Sequence, residues 1–287
     1  MKQSITEYPL INSGLQESES LDSILGYTVS SLEKTLALPE YAVSEPHRFD
    51  SKKERQIVAG VEKLTGYGFK LSNMFEDMCR ELRRVPTQAE FNAESLQYVA
   101  ETWHDNPSNK DCIEWSDTVE RAVVNRNLRT YIAQVNEFHF MLLVQELFPE
   151  WSVYSSNELD IIMGVDAVIE TDCKRLYFHI YKNSPYSFKA YRLKEKRGGR
   201  RNAEGQFIRY NRDFSGHNSL MYEGRITVSS ETTKFINGLP LFKPEWLKAQ
   251  LTMYNRFNQF GEELKASSKL QSLEEFLKLT EKQEVTI

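Results

Sequence analysis

The segment LDIIMGVDAVIETDCKRLYFHIYK, from Leu159 to Lys182, constrains the fold of this chain more than any other stretch. Its apolar residues follow the pattern of β-strands, and Thr171 to Lys174 supply a turn between two of them. The hairpin carries a carboxylate at Asp166 and a lysine at its far end, Lys182. Because burying either charge is costly unless it has a partner, the two residues predict a metal and phosphate site.

Composition excludes several classes of protein. The chain has 287 residues, 40% of them hydrophobic, which suffices for one large core or two modest ones. The apolar run Phe138 to Val144 is broken by His139 and is too short to span a membrane. The first residues lack the basic and apolar regions of a signal peptide, and the three scattered cysteines favour neither a disulfide framework nor a zinc site. We therefore expect a soluble protein of the reducing cytoplasm.

Charge is distributed unevenly along the chain. The net charge is -5, yet the segment from Lys189 to Arg212 contains nine basic and two acidic residues. Such a basic block is typical of a phosphate-binding surface, because each neutralised phosphate releases counterions; the alternative is a solvated loop. Tyr191, Phe207 and Tyr210 lie within the block and could stack on bases or pack the loop down. The residues expected to bind nucleic acid are Lys189, Arg192, Lys194, Lys196, Arg197, Arg200, Arg201 and Arg209.

In residues 1–110, the first 20 or so residues lack periodicity, and the rest have the periodicity of helices. This pattern predicts a mainly helical N-terminal domain, in which no motif points to a particular chemistry. The predicted helices run from Ser20 to Leu36, from Ser51 to Leu64, from Phe69 to Arg84 and, after a cap at Thr87, to Trp103.

Residues 111–287 have the pattern of an α/β domain, so the whole chain is predicted to have an α+β fold. A long helix is predicted from Asp117 to Phe148, and its apolar end should be buried against a sheet. Glu137 lies at the edge of that end, where it needs a metal, a lysine or solvent as a neighbour. Strands are predicted at Trp151–Tyr154, Leu159–Ile169, Leu176–Tyr181 and Arg225–Ser229, and further helices at Pro244–Leu264 and Leu273–Lys282.

A helix, a hairpin of strands, a basic connection, a strand and a helix follow one another from Asp117 to Leu264. The motif GVDAVIE is followed by YFHIYK, which places Lys182 sixteen residues after Asp166. In these features the chain resembles the PD-(D/E)XK, or restriction-endonuclease-like, nucleases. The resemblance implies a mixed β-sheet flanked by helices. It also implies that Asp166 and Glu137 ligate Mg²⁺ or Mn²⁺ and that Lys182 orients water or stabilises charge at the phosphate.

One position departs from the family pattern. Family members carry an acidic residue two positions before the lysine, where this chain has Ile180. An isoleucine can neither coordinate a metal nor accept a proton. Three explanations stay open: a strand bulge moves His179 into the role, the site is inactive, or the acid has migrated. The candidates for a migrated acid are Glu137, Glu170 and Asp160.

These observations lead to competing hypotheses about function. The first is a metal-dependent DNA endonuclease or related DNA-processing enzyme, with Asp166, Lys182, Glu137 and His179 in its catalytic site. A homodimer would suit cleavage of both strands. The alternative is a non-catalytic nucleic-acid-binding or assembly protein on an inactive nuclease-like scaffold, which Ile180 favours. A protein-interaction module acting through the acidic helical half is a third hypothesis, and it leaves the basic block unexplained.

Overall fold

A computed structural model describes residues 25–61, 64, 67–103, 114–155, 165–171, 175–182, 189, 192–193, 196–201, 207–209 and 221–257. These residues contain six α-helices and eight β-strands, and they confirm the prediction of an α+β fold with a helical N-terminal part. The predicted helix Leu273–Lys282 and the end of the predicted helix Pro244–Leu264 lie outside the described residues.

Four helices precede the long helix of the second half, as predicted. Thr28 caps the first helix, so the predicted helix from Ser20 to Leu36 is wrong at Gly26 to Thr28, which are not helical; Ser20 to Ile24 lie outside the described residues. Thr87 caps the fourth through a reciprocal pair of hydrogen bonds with Glu90, the arrangement that its sequence predicts. The helices are α1 Val29–Leu36, α2 Lys52–Val61, α3 Tyr67–Leu82 and α4 Gln88–Thr102.

The fifth helix, α5, spans Asp117–Leu147 and organises the molecule. It packs against all four preceding helices and also against strands and the last helix of the second half. Its segment Phe138 to Val144 is buried all round, as the apolar sequence predicts. The Phe140 ring lies 6.2 Å from that of Phe178 and 5.8 Å from that of Phe242, so α5 covers the sheet.

The strands form one four-stranded sheet and two separate two-stranded ladders. They are β1 Ser152–Tyr154, β2 Ala167–Glu170, β3 Arg175–Lys182, β4 Gly199–Arg201, β5 Phe207–Arg209, β6 Met221–Val228, β7 Thr233–Ile236 and β8 Leu239–Phe242. The sheet has the order β1-β2-β3-β6, with β2 antiparallel to both neighbours and β3 parallel to β6. Helix α6, Pro244–Phe257, covers it, with the Tyr254 ring 5.3 Å from that of Phe178.

The hairpin of β7 and β8 is an element that the periodicity argument missed. Asn237 and Gly238 form its two-residue turn with φ values of 50° and 83°, and Asn-Gly is the preferred sequence for such a turn. The Asn237 amide donates hydrogen bonds to the carbonyl oxygens of Leu36 and Leu38, at 2.9 and 2.8 Å. The turn therefore holds the carboxyl end of α1.

One hydrophobic cluster runs through both halves of the described chain. It joins residues of α1 to α4, such as Leu36 and Phe91, to sheet residues such as Phe178 and Phe242 by way of α5. The proposed division into domains at residues 110 and 111 stays a prediction. Among the described helices, none is long and apolar enough to cross a membrane.

Candidate functional site

Asp166 lies immediately before β2 and is held by three hydrogen bonds. Its backbone N–H donates to the Phe178 carbonyl at 2.9 Å, and its own carbonyl accepts from the Ser155 hydroxyl at 2.8 Å. Its carboxylate oxygen Oδ2 accepts from the backbone N–H of Ile180 at 2.7 Å. The side chain therefore extends the pairing of β2 and β3 by one more hydrogen bond.

The hydrogen bond from the Ile180 amide gives the Asp166 carboxylate a structural role. A hydrogen bond from a backbone amide to a carboxylate stabilises the folded hairpin and satisfies the Ile180 N–H. Ile180 also occupies the position where the resembled nucleases carry their second acid. The donor is a backbone N–H, which any residue except proline would supply at this position, so the contact does not depend on the isoleucine side chain.

Lys182 is the last residue of β3 and is exposed. Because β2 and β3 are antiparallel, the start of β2 and the end of β3 meet at the same edge of the hairpin. Ile180 and Lys182 lie on the same face of β3, about 7 Å apart along the strand. Asp166 and Lys182 are thus brought to one end of the sheet, as their spacing predicts.

His179 occupies the other face of β3. Its side chain is 2% exposed, and its neighbour in the parallel pairing with β6 is Arg225. The pairing of β3 with β6 runs without interruption from Arg175 to Lys182, so no bulge in it shifts His179 toward the face of Ile180. The printed pairing of β2 with β3 ends at Ala167 and Phe178, before His179, so the role of His179 in the site stays a prediction.

The other candidate acids are distributed differently. Glu137 is half-buried on α5, one turn before Phe140, and its Oε2 accepts from Gln134 Nε2 at 3.3 Å. Glu170 lies at the opposite end of β2 from Asp166, about 13 Å along the strand. Asp160 lies outside the described residues.

A hard divalent cation such as Mg²⁺ prefers several oxygen ligands. In the part of the chain that the structure describes, no three side chains of the His, Cys, Asp and Glu types are placed to hold a metal ion together. One oxygen of Asp166 accepts from the Ile180 amide, and the Mg²⁺ or Mn²⁺ site that the resemblance implies stays a prediction.

The structure describes part of the basic block, and that part contains a two-stranded antiparallel ladder. Gly199 pairs with Arg209, Arg200 with Ile208 and Arg201 with Phe207, so the predicted connection contains the two strands β4 and β5. Gly198, with a φ of 61°, turns the chain into β4. We call residues 189–209 the basic ribbon, of which Lys194 lies outside the described residues. Among its cations whose side chains the structure describes, the exposed ones are Lys189, Arg192, Lys196, Arg197 and Arg209.

A second charged cluster was not predicted from the sequence, in which His139 is notable only as a break in an apolar run. His139 is fully buried on α5, and its Nε2 lies 3.0 Å from Oε1 of Glu33 on α1. The other oxygen of Glu33 accepts from Lys234 Nζ on β7 at 2.6 Å. The hydrogen bond with His139 lowers the pKa of Glu33, assisted by the bond and charge of Lys234. No sequence spacing signals this cluster, because its members come from three distant elements.

Comparison with protein-family models, with curated proteins and with solved structures found no match to this chain. A functional proposal must therefore be supported by the residues described above.

Proposed function

We propose that this protein binds nucleic acid through the basic ribbon, on a scaffold that resembles the nuclease fold. The observation that carries the proposal is the exposure of Lys196, Arg197 and Arg209 in and beside a two-stranded ladder. Exposed cations can replace the counterions condensed around a phosphate backbone, and that release drives binding. DNA is the expected partner, and Lys189 and Arg192 are further exposed cations of the same segment.

The order of the elements along the chain supports this proposal. The chain runs from α5 through β1, β2 and β3 into the basic ribbon, and then into β6 and α6. This is the order in which the resemblance to the nucleases places helix, hairpin, basic connection, strand and helix. Ile180, whose side chain cannot ligate a metal or accept a proton, favours binding over metal-dependent cleavage.

Phosphodiester cleavage is the second candidate function, and one observation favours it. Asp166 and the exposed Lys182 lie at the same end of the hairpin formed by β2 and β3. Glu137, half-buried on the helix that covers the sheet, would be the further acid of such a site.

Binding is tested with the full-length chain and a fluorescent DNA by anisotropy at low and moderate salt. Lys196→Glu combined with Arg197→Glu should weaken binding and flatten its salt dependence, because two phosphate contacts are reversed. The matched control is Lys52→Glu with Lys53→Glu, another pair of adjacent exposed cations at the start of α2. Equal affinities of the two double variants would overturn the proposal.

Cleavage is tested on plasmid DNA with added Mg²⁺ or Mn²⁺. Cutting by the parent that disappears in both Asp166→Ala and Lys182→Ala, with folding intact, would replace the binding role with the enzymatic one. Uncut plasmid together with salt-sensitive binding is the result we expect.

We place this function in the cytoplasm. Cys79 is a free cysteine, fully buried in the described core, and burial raises the pKa of its thiol to about 12. Such a thiol is unreactive and packs as a small apolar side chain.

A further inference from the structure

Phe207 is an exposed aromatic side chain near the carboxyl end of the basic ribbon. It is 47% exposed although it belongs to the hydrogen-bonded ladder of β4 and β5. Leaving a phenylalanine in water forgoes the free energy that its burial would contribute. A surface aromatic among exposed cations suits a partner that offers both phosphates and flat apolar faces.

Arginines are the neighbours of Phe207 in the ladder, since Arg201 pairs with it across the two strands. Arg209 lies two residues further along β5, on the same face and about 7 Å away. Arg209 is exposed. One phosphate could therefore contact the guanidinium of Arg209 while an adjacent base lies on the Phe207 ring.

The state of the nucleic acid follows from this geometry. In a duplex the flat faces of the bases are stacked on one another, so a side chain on the protein surface reaches only base edges and phosphates. In a single strand the faces are free, and stacking on an aromatic ring tolerates any base. We infer that the basic ribbon binds single-stranded nucleic acid, with Phe207 as the platform on which a base stacks. This inference rests on the proposed function and specifies its substrate.

The test compares Phe207→Ala with the parent in anisotropy titrations of oligo-thymidylate of about 16 nucleotides and of a duplex of equal length. We expect the parent to prefer the single strand. Phe207→Ala should weaken single-strand binding about 5- to 100-fold, the loss of one stacked base, and leave duplex binding unchanged. Phe207→Tyr should retain the parent affinity, because a tyrosine ring also stacks.

Phe235→Ala is the matched control, since Phe235 is 61% exposed on the other two-stranded hairpin, β7 with β8. The Phe235→Ala variant should bind both oligonucleotides with the affinity of the parent. Urea unfolding curves of each variant check that the fold is intact.

The outcomes separate this inference from the proposed function. If Lys196→Glu with Arg197→Glu weakens binding while Phe207→Ala has no effect on the single strand, the stacking role is overturned and the basic ribbon is retained. If neither oligonucleotide binds the parent in a salt-sensitive manner, both the inference and the proposed function are wrong.

Discussion

The Asp166 carboxylate accepts a hydrogen bond from the backbone N–H of Ile180, with 2.7 Å between Oδ2 and the amide nitrogen. The two residues are the ones on which the nuclease hypothesis depends: the strand aspartate, and the isoleucine that replaces an acid. Their contact connects the chemistry that the sequence suggests to the stability of the hairpin. Variants at Asp166 therefore need a stability measurement beside any assay of activity.

Asp166→Ala should lower the free energy of unfolding by about 1 to 2 kcal/mol, because the Ile180 amide loses its acceptor. Asp166→Asn should lose much less, since the amide oxygen of asparagine can accept the same bond. Urea unfolding of both variants checks this. Lys182→Ala is the control, and as an exposed residue it should change stability by no more than about 0.5 kcal/mol. Equal losses for the alanine and asparagine variants of Asp166 would contradict the structural role.

Glu33→Ala should cost about 2 kcal/mol or more in unfolding free energy. Ionised Glu33 can only accept, so His139 must donate its Nε2–H to it, and truncation leaves that donor buried without an acceptor. The remaining ring nitrogen, Nδ1, is already buried without a hydrogen-bond partner among the described residues.

Lys234→Ala is the comparison for this cluster, and it should cost less than about 1 kcal/mol. Its side chain is 40% exposed, and partly solvated ion pairs contribute little. Chemical denaturation of Glu33→Ala and Lys234→Ala at neutral pH shows which variant loses more unfolding free energy. A larger loss in Lys234→Ala than in Glu33→Ala would show that the buried histidine does not depend on Glu33.

Glu90 should make stability depend on pH below neutrality. The guanidinium of Arg84, with hydrogen bonds from Thr87, lowers the pKa of Glu90 to about 2 from an ordinary value of 4.5. A carboxyl whose pKa is lower in the folded state stabilises the fold above its unfolded pKa. That contribution is lost as the pH falls from about 4.5 toward 2.

The Glu90 side chain is 37% exposed, so solvent screening limits this contribution to about 1 kcal/mol. Urea unfolding of the parent and of Glu90→Gln at neutral pH and near pH 3 measures it. The gap between the two proteins should be larger at neutral pH. A gap that stays constant with pH would mean that the Glu90 charge does not contribute to stability.

Gly238→Ala should destabilise the protein more than Gly26→Ala. Both glycines have positive φ, 83° and 60°, where an L-residue is strained by about 1 kcal/mol or more. A Cβ at Gly238 would also overlap Cγ2 of Val43, whereas a Cβ at Gly26 would meet nothing within 4 Å.

The steric contact should add about 1 to 3 kcal/mol to the cost of Gly238→Ala. Thermal or urea unfolding of the two variants provides the comparison. Equal destabilisation would show that Val43 moves aside without cost and that backbone strain alone matters at both sites.

Local elements of the fold could be predicted because their causes are local. The capping pair of Thr87 and Glu90 and the all-round apolar segment Phe138 to Val144 each act within one helix, and both are present. The hairpin at Asn237 and Gly238 was also signalled locally, by its Asn-Gly turn, but its short strands carry little alternation. The placement of Asp166 and Lys182 at one end of a hairpin followed from strand periodicity.

By itself, the sequence determined the periodicity, the caps and the concentration of positive charge between Lys189 and Arg212, because these depend on residues close together in the chain. Tertiary structure alone decided that the Asp166 carboxylate is bound to the Ile180 amide and that Glu33 meets His139, 106 residues away. Hydrophobic burial draws apolar surfaces together without regard to partner. Which polar groups then meet depends on how the helices and the sheet pack together, and that information is spread over the whole chain.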